Sequence, residues 1–189
     1  MANDPHRTTP STKTTTPAIA ATPRTFRARL SAVPRSYFVA ALLIFGVDQL
    51  TKYVGLTYVG GNYDHVAGPL WFANLYDPRS SLFGIHTNHF GFIVVYVSCF
   101  LFAITLMAYS HLKIGRIGGT MILGAGFGNF VSLMFNPHGV PNFICYNLWY
   151  YCNLADVTVF SGCVLTALYA FSTDGPVRRF ARGQSLTRA

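Results

Sequence analysis

Four stretches of mostly apolar residues divide the chain, and polar segments separate them. The apolar stretches occupy residues 37–56, 90–110, 117–135 and 156–172. A helix needs about twenty mostly apolar residues to cross the hydrocarbon core of a bilayer. The pattern therefore predicts an all-α membrane protein with four transmembrane helices.

The two outer connections differ in character. Residues 57–89 combine glycine and proline breaks with short alternations such as Leu70-Trp71-Phe72, a pattern typical of short strands. We expect them to form a small extra-membrane β-rich subdomain between helices 1 and 2. Residues 136–152 are expected to form a polar and aromatic connection, because Pro137, Gly139 and Pro141 break any helix.

Both ends of the chain are polar and basic. Residues 1–36 are rich in Thr, Pro, Ala and Arg without apolar periodicity, which predicts a disordered tail and not a cleavable signal peptide. Residues 173–189 form a second basic tail. The membrane domain is therefore assigned to residues 37–172.

Composition supports a polytopic membrane protein. Hydrophobic residues make up 51% of the chain and charged residues 11%, about half the charged share of an ordinary soluble domain. The net charge of +8 would suit nucleic acid if the basic residues shared a folded face. They lie in two tails and one short loop, so we expect anionic lipid headgroups as partners and no nucleic acid.

The basic residues also predict an orientation. Twelve of the fourteen lie in the two tails and in the loop between helices 2 and 3, leaving Lys52 within a helix and Arg79 outside. Positively charged segments stay on the cytoplasmic side. Both termini of this multi-pass protein are therefore expected to be cytoplasmic.

The polar residues within the helices fall at one depth, near the outer surface. Asp48 and Lys52 share a face of helix 1, Asn129 and Ser132 end helix 3, and Asp156 begins helix 4. Asp48 and Lys52 also suit a self-neutralising pair, and Asp156 suits a helix cap. Because ionisable residues in a membrane are costly and usually functional, convergence on three helices favours a site. Polar residues at a single depth do not favour a channel.

Other chemistry finds little support, and no metal or cofactor is expected. Four histidines lie in outer connections without the spacing of a helical metal site: His65, His86, His89 and His138. Cys145 and Cys152 are also outside, where an oxidising environment permits a disulfide without requiring one.

Three strings in the predicted order and topology resemble signal peptidase II, the bacterial lipoprotein signal peptidase family. Asp48-Gln49-Leu50-Thr51-Lys52 matches the family's D-Q-x-[ST]-K. Gly124-Ala125-Gly126-Phe127-Gly128-Asn129 is similar to its G-x-x-G-N, and Cys152-Asn153-Leu154-Ala155-Asp156 to its F-N-x-A-D. The resemblance covers roughly residues 37–172.

The resemblance implies an aspartic endopeptidase of the bacterial cytoplasmic membrane that acts on lipid-modified lipoprotein precursors at the outer leaflet. One of the family's two catalytic aspartates maps to Asp156. The second maps to Ser132, which has no carboxyl group. Four other matched positions are expected to bind substrate or support the site: Asp48, Lys52, Asn129 and Asn153.

Further departures surround the missing acid. Leu133 stands where the family has arginine, and Asn142 stands where its V-x-D-F string has aspartate. Residues 77–83 are only loosely similar to its outer N-x-G-A-A-F string. An aspartic protease divides the roles of base and acid between two carboxyl groups that share a proton. A serine hydroxyl cannot act as a base near neutral pH.

Two functions therefore remain open from the sequence. One is a lipoprotein-processing endopeptidase whose second acid comes from Asp48, Asp64 or Asp77. The other is a catalytically inactive homologue that binds lipoproteins or another membrane protein.

Overall fold

The structure is a computed structural model that describes residues 25–58, 64–77, 81–82, 85–86, 89–148, 150–172 and 175–183. A short helix, α1 (Phe26–Ser31), precedes the long helices, and a second short helix, α6 (Pro176–Ala181), follows them. Four described helices are long and apolar enough to cross a membrane. They are α2 (Arg35–Tyr58), α3 (His89–Tyr109), α4 (Lys113–Phe135) and α5 (Leu154–Phe171). The prediction of four transmembrane helices is confirmed.

The structure differs from the predicted disordered tail between residues 25 and 36. Helix α1 begins where the Thr25 hydroxyl accepts a hydrogen bond from the Ala28 N–H at 3.2 Å. The Phe26 ring stacks on Tyr109 with ring centroids 6.2 Å apart, and the Arg29 guanidinium lies 4.9 Å from the same ring centroid. Composition alone did not reveal this contact with Tyr109 at the end of α3, which holds α1 in place. Residues 1–24 lie outside the described residues.

Helix α4 is the central helix, and it packs against α2, α3 and α5. Its glycines allow these close approaches. A Cβ on Gly118 would lie 2.9 Å from the Gly162 carbonyl oxygen of α5, and one on Gly119 would lie 2.9 Å from the Ala103 carbonyl oxygen of α3. A Cβ on Gly124 would collide with the Ala41 carbonyl oxygen of α2. The glycines of α4 therefore let α2, α3 and α5 pack close to its backbone.

A four-stranded antiparallel sheet covers one end of the helices. Its strands are β1 (Asp64–Ala67), β2 (Leu70–Asp77), β5 (Val140–Tyr146) and β6 (Tyr150–Cys152), in the order β1-β2-β5-β6. The short strands β3 (Ser81–Leu82) and β4 (Ile85–His86) form a separate pair. The predicted β-rich subdomain between the first two transmembrane helices, which are α2 and α3, is confirmed.

Half of the large sheet comes from a segment that the sequence indicated only as a connection. Pro141 of β5 pairs with Tyr76 of β2, but β6 pairs only with residues 144–146 of β5. Proline is tolerated there because, among the described strands, none pairs with the other side of β5 at that point. Phe143 then anchors β5 on α2, since a Cβ on Gly55 would lie 2.9 Å from its ring. Residues 136–152 thus bring the sheet onto the membrane helices.

The disulfide that the sequence permitted does not form, and both thiols are free. Cys145 is opposite Tyr151, and Cys152 is opposite Ile144. Because side chains alternate along a strand, the two thiols lie on opposite faces of the sheet.

Candidate functional site

The polar residues of α2, α4 and α5 meet where these helices reach the four-stranded sheet. Asp48 and Lys52 lie on α2, Asn129 and Ser132 on α4, and Asp156 near the start of α5. The first four are buried, with exposed fractions between 1% and 8%, and Asp156 is half-buried. A chain of hydrogen bonds joins all five.

Lys52 lies at the centre of this chain. Its Nζ is 2.7 Å from Asp48 Oδ2, 2.7 Å from Asn129 Oδ1 and 3.3 Å from Ser132 Oγ. Three acceptors match the three N–H donors of an ammonium group. The predicted pairing of Asp48 with Lys52 is therefore present, and the pair extends to α4.

Asp48 connects α2 to the other two helices. Its Oδ1 accepts a hydrogen bond from the Ala155 N–H at 3.1 Å, and its Oδ2 accepts one from Gln49 Nε2 at 3.0 Å. The first contact places a carboxylate at the N-terminus of α5, where the helix dipole favours negative charge. Gly128 permits this arrangement, because a Cβ there would collide with Asp48 Oδ2.

Asp156 forms a capping box with Asn153. The Asp156 N–H donates to Asn153 Oδ1 at 3.1 Å, and the Asn153 N–H donates to Asp156 Oδ2 at 3.0 Å. Its second oxygen, Oδ1, accepts from Asn129 Nδ2 at 2.7 Å. Asp156 therefore caps α5 and also belongs to the polar cluster, so the two interpretations of this residue are compatible.

Asn153 fixes the cap to the sheet. Its side chain is fully buried, and its Nδ2 donates to Asn142 Oδ1 at 2.8 Å and to the Pro141 carbonyl oxygen at 3.2 Å. Every polar atom of the Asn153 side chain thus has a partner. The position of Asp156 depends on β5 as well as on its own helix.

Ser132 turns its hydroxyl towards Lys52. The hydroxyl donates to the Gly128 carbonyl oxygen at 3.0 Å and accepts from Lys52 at 3.3 Å and from Gln49 at 3.4 Å. Among the hydrogen bonds of the described residues, none joins Ser132 to Asp156. Lys52 acts only as a donor in this geometry, so it has no lone pair directed at the serine proton.

Gln49 is the site residue that the sequence did not single out. Its Nε2 lies 3.0 Å from Asp48 Oδ2, 3.1 Å from the Gly128 carbonyl oxygen and 3.4 Å from Ser132 Oγ. The available signal was its position three residues before Lys52, which places the two side chains on neighbouring parts of one helix face.

Leu133 also differs in environment from the polar cluster beside it. It is 3% exposed and belongs to an apolar core with Phe92 and Val140. The helix therefore turns Ser132 towards Lys52 and Leu133 towards the contact of α3 with β5.

The comparison with protein families covers this whole assembly. The sequence profile of signal peptidase (SPase) II matches residues 40–172, which is more than half of the chain. The chain belongs to the signal peptidase II family. The matched segment includes every residue of the polar cluster, the sheet and α2 to α5 except the first residues of α2.

Named relatives and solved structures agree with this family assignment. The chain is 26% identical over 152 residues to the lipoprotein signal peptidase of Borrelia duttonii (strain Ly), covering 72% of this chain and 88% of the relative. It is 27% identical to that of Borreliella afzelii (strain PKo), covering 71% and 87%. A bacterial membrane enzyme solved by the in meso method at 1.9 Å resolution superposes with a TM-score of 0.62 at 18% identity, covering 72% of this chain and 93% of that chain. The chain thus shares the fold of a membrane enzyme and the family of lipoprotein-processing proteases.

The other acids that the sequence offered lie in the sheet of this signal peptidase II homologue. Asp64 is opposite Phe72 on β1, and Asp77 is opposite Val140 on β2; their side chains lie outside the described part. Of the loop histidines, His138 contacts Tyr76, with ring centroids 5.4 Å apart, and the side chains of the other three lie outside it as well. Within the described residues, no three His, Cys, Asp or Glu side chains are grouped as metal ligands.

Proposed function

We propose that this member of the signal peptidase II family binds lipid-modified lipoprotein precursors at the outer leaflet of the bacterial cytoplasmic membrane without cleaving them by a two-aspartate reaction. The named relatives are lipoprotein signal peptidases, which supports a lipoprotein precursor as the ligand. The missing second carboxyl group at Ser132 supports the absence of cleavage.

The observation that carries the proposal is the set of contacts made by Ser132. Its hydroxyl is bonded to Lys52, Gln49 and the Gly128 carbonyl oxygen, whereas Asp156 is bonded to two nitrogen donors from asparagines. An aspartic protease needs a carboxylate to activate water and a protonated carboxyl group to polarise the scissile carbonyl. Asp156 alone cannot fill both roles.

The cluster nevertheless holds Asp156 in a defined position. Asn129 and Asn153 hold Asp156, and the Asp48–Lys52 pair fastens α2 to α4 and α5. In this proposal Asp156 presents a hydrogen-bond acceptor to the peptide backbone of the precursor, and the other four residues keep it in position.

In the proposed orientation this cluster lies near the outer surface of the membrane. Arg35 begins α2, Lys113 begins α4 and α6 carries Arg178 and Arg179, all at the end of the helices away from the sheet. Cytoplasmic segments carry the excess of Lys and Arg, which supports cytoplasmic termini. Cysteine labelling of residues 64–77 from the outside would test it, and their labelling only from the cytoplasm would overturn it.

A second candidate function is cleavage by Asp48 with Asp156. The observation that favours it is the 3.1 Å hydrogen bond from the Ala155 N–H to Asp48 Oδ1, which brings a second carboxyl group to the residue before Asp156. For this reaction Asp48 would have to release both Lys52 and Gln49 to free Oδ2, because that oxygen accepts from both. The experiment below distinguishes this mechanism from binding without cleavage.

The test uses the purified protein in detergent with a fluorescent, diacylglyceryl-modified precursor peptide and the same peptide without the lipid. A lipoprotein signal peptidase with both aspartates serves as the positive control for cleavage. We expect lipid-dependent binding and no product. Cleavage by the wild type that is lost in Asp156→Asn and in Asp48→Asn, while both variants stay folded and bind the peptide, would favour the second candidate. Failure of the wild type to bind the lipidated peptide would overturn the proposal.

A further inference from the structure

An apolar groove of about 290 Å³ lies between α2 and α4, away from the polar cluster. Its walls are the side chains of Phe38, Leu42 and Phe45 on α2 and of Leu123 and Phe127 on α4. Every residue that lines it is apolar. The groove is open at the surface of the helix bundle, where the side chain of Leu42 is 64% exposed.

The floor of the groove is formed where the two helices touch. Ala41 and Gly124 line it, and a Cβ on Gly124 would collide with the Ala41 carbonyl oxygen. The small residues leave a depression between larger aromatic and leucine side chains. A long, narrow apolar chain fits this shape better than a bulky group.

A single arginine stands at one end of the groove. Arg35, Phe38, Leu42 and Phe45 follow one another at steps of three, four and three residues, so they share one face of α2. Arg35 is the first residue of α2 and is exposed. The stripe therefore runs from a cation into an apolar groove.

The length of this stripe matches one leaflet of a bilayer. From Arg35 to Phe45 the helix rises about 15 Å at about 1.5 Å per residue, and half of the hydrocarbon core is also about 15 Å thick. A lipid with its phosphate at Arg35 would thus lay an acyl chain along the whole groove.

Charge at this end favours an anionic lipid. Helices α2 and α4 run parallel, since Ala41 meets Gly124 and Asp48 meets Gly128, so Lys113 and Arg116 at the start of α4 lie at the same end as Arg35. The acids that the structure describes lie in the polar cluster or in the sheet. Asp174, near this end in sequence, is outside the described residues.

We propose that the α2–α4 groove binds an anionic phospholipid, with one acyl chain in the groove and the headgroup phosphate paired with Arg35. The site is separate from the polar cluster, and the inference does not depend on whether the chain cleaves precursors. It also does not depend on the orientation of the protein, because the geometry fixes only which end of α2 meets the headgroups.

The test is native mass spectrometry of the full chain, delipidated in detergent and titrated with phosphatidylglycerol or phosphatidylcholine of the same acyl chains. We expect tighter retention of phosphatidylglycerol. A basic residue near the membrane surface contributes enough attraction that Arg35→Gln should weaken this retention about fivefold. Leu42→Trp should also weaken it, because the indole would fill the groove.

Two matched variants control for general damage. Val39 is 54% exposed on α2 and does not line the groove, so Val39→Trp should retain the lipid; Arg27 is an exposed cation on α1, so Arg27→Gln should do likewise. Equal retention of both lipids, an unaffected Leu42→Trp protein, or the same loss in Val39→Trp would each overturn the proposal. A dimer of the wild type that Leu42→Trp dissociates would show that a second copy occupies the groove instead.

Discussion

Lys52 and Asn129 connect the two aspartates that the membrane helices bring together. Lys52 Nζ lies 2.7 Å from Asn129 Oδ1, and the Nδ2 of the same asparagine donates to Asp156 Oδ1 at 2.7 Å. Because Lys52 is also 2.7 Å from Asp48, one lysine and one amide span three helices. A substitution of Asp48 should therefore alter the position of Asp156, and the reverse should also hold.

The first prediction concerns the ion pair between Asp48 and Lys52. Their side chains are only 1% and 4% exposed, so removing one partner leaves a buried charge and should cost about 3–5 kcal/mol. We expect Asp48→Leu and Lys52→Met each to lower the free energy of unfolding. The sum of these two losses should be larger than the loss measured for the double variant. Unfolding in detergent, measured as a double-mutant cycle, checks this, and strictly additive losses would contradict the pairing.

The second prediction concerns the glycine that faces Asp48. A Cβ at position 128 would collide with Asp48 Oδ2 and lie 3.0 Å from its Cγ. We therefore expect Gly128→Ala to cost about 1–3 kcal/mol through overpacking. Gly46→Ala on α2 is the matched control, because no heavy atom lies within 4 Å of its added Cβ and alanine favours a helix. Thermal unfolding should separate the two variants, and equal effects would show that the approach of Asp48 to α4 is not tight.

The third prediction concerns the thiol of Cys152, on β6. Burial, the charge of Asp156 and the nearby Cys145 raise the pKa of this thiol to about 11. The thiolate is the reactive form, and at pH 8 only about one Cys152 side chain in a thousand should be a thiolate. The rate of alkylation should therefore rise with pH until about pH 11. Mass spectrometry of the peptide that carries Cys152 allows the measurement in the wild-type chain, where Cys145 is still present. A rate that levels off near pH 8.5 would contradict the raised pKa.

The fourth prediction concerns Asp156→Asn. Two donors, the Asn153 N–H and Asn129 Nδ2, point at separate oxygens of Asp156, and an amide offers only one oxygen. We expect the unmatched donor to cost about 1–3 kcal/mol of stability. Any cleavage activity should also fall by about 100-fold or more, because a positioned acid or base is lost. Unfolding and cleavage assays on the same preparation check both effects, and an unchanged stability would contradict the role of Asp156 as a cap.

The sequence predicted the helices well because length and hydropathy dictate them. It also placed Asp48, Lys52, Asn129, Ser132 and Asp156 at one depth, since spans that start or end at the same surface have a known rise per residue. It did not reveal the contacts between helices. The bond from the Ala155 N–H to Asp48 depends on the crossing geometry of α2 and α5, which no local pattern records.

The sheet shows the same limit in another form. The strand β5 pairs with β2, far away in sequence, and β6 is only three residues long. The pattern of β5 also contains a proline, Pro141, which argues locally against a strand. Only the partner strand makes Val140–Tyr146 extended, so the link from Asn142 to Asn153 could not be foreseen.

The last prediction is that the wild type has little or no signal peptidase II activity and that Ser132→Asp alone does not fully restore it. A carboxylate at position 132 would face Lys52 and Gln49, whose nitrogens lie 3.3 and 3.4 Å from the present hydroxyl; these donors favour its charged form and oppose proton sharing with Asp156. Leu133 is buried among apolar side chains and supplies no guanidinium to orient the new acid. A misplacement of about 1 Å can cost about 100-fold in rate. The measurement is complementation of a strain that lacks its own lipoprotein signal peptidase. The wild-type gene and the Ser132→Asp gene are each compared with the gene of a signal peptidase that has both aspartates. Growth on the wild-type gene that is lost with Asp156→Asn would refute the inactive interpretation, and growth on Ser132→Asp alone would show that position 132 was the sole defect.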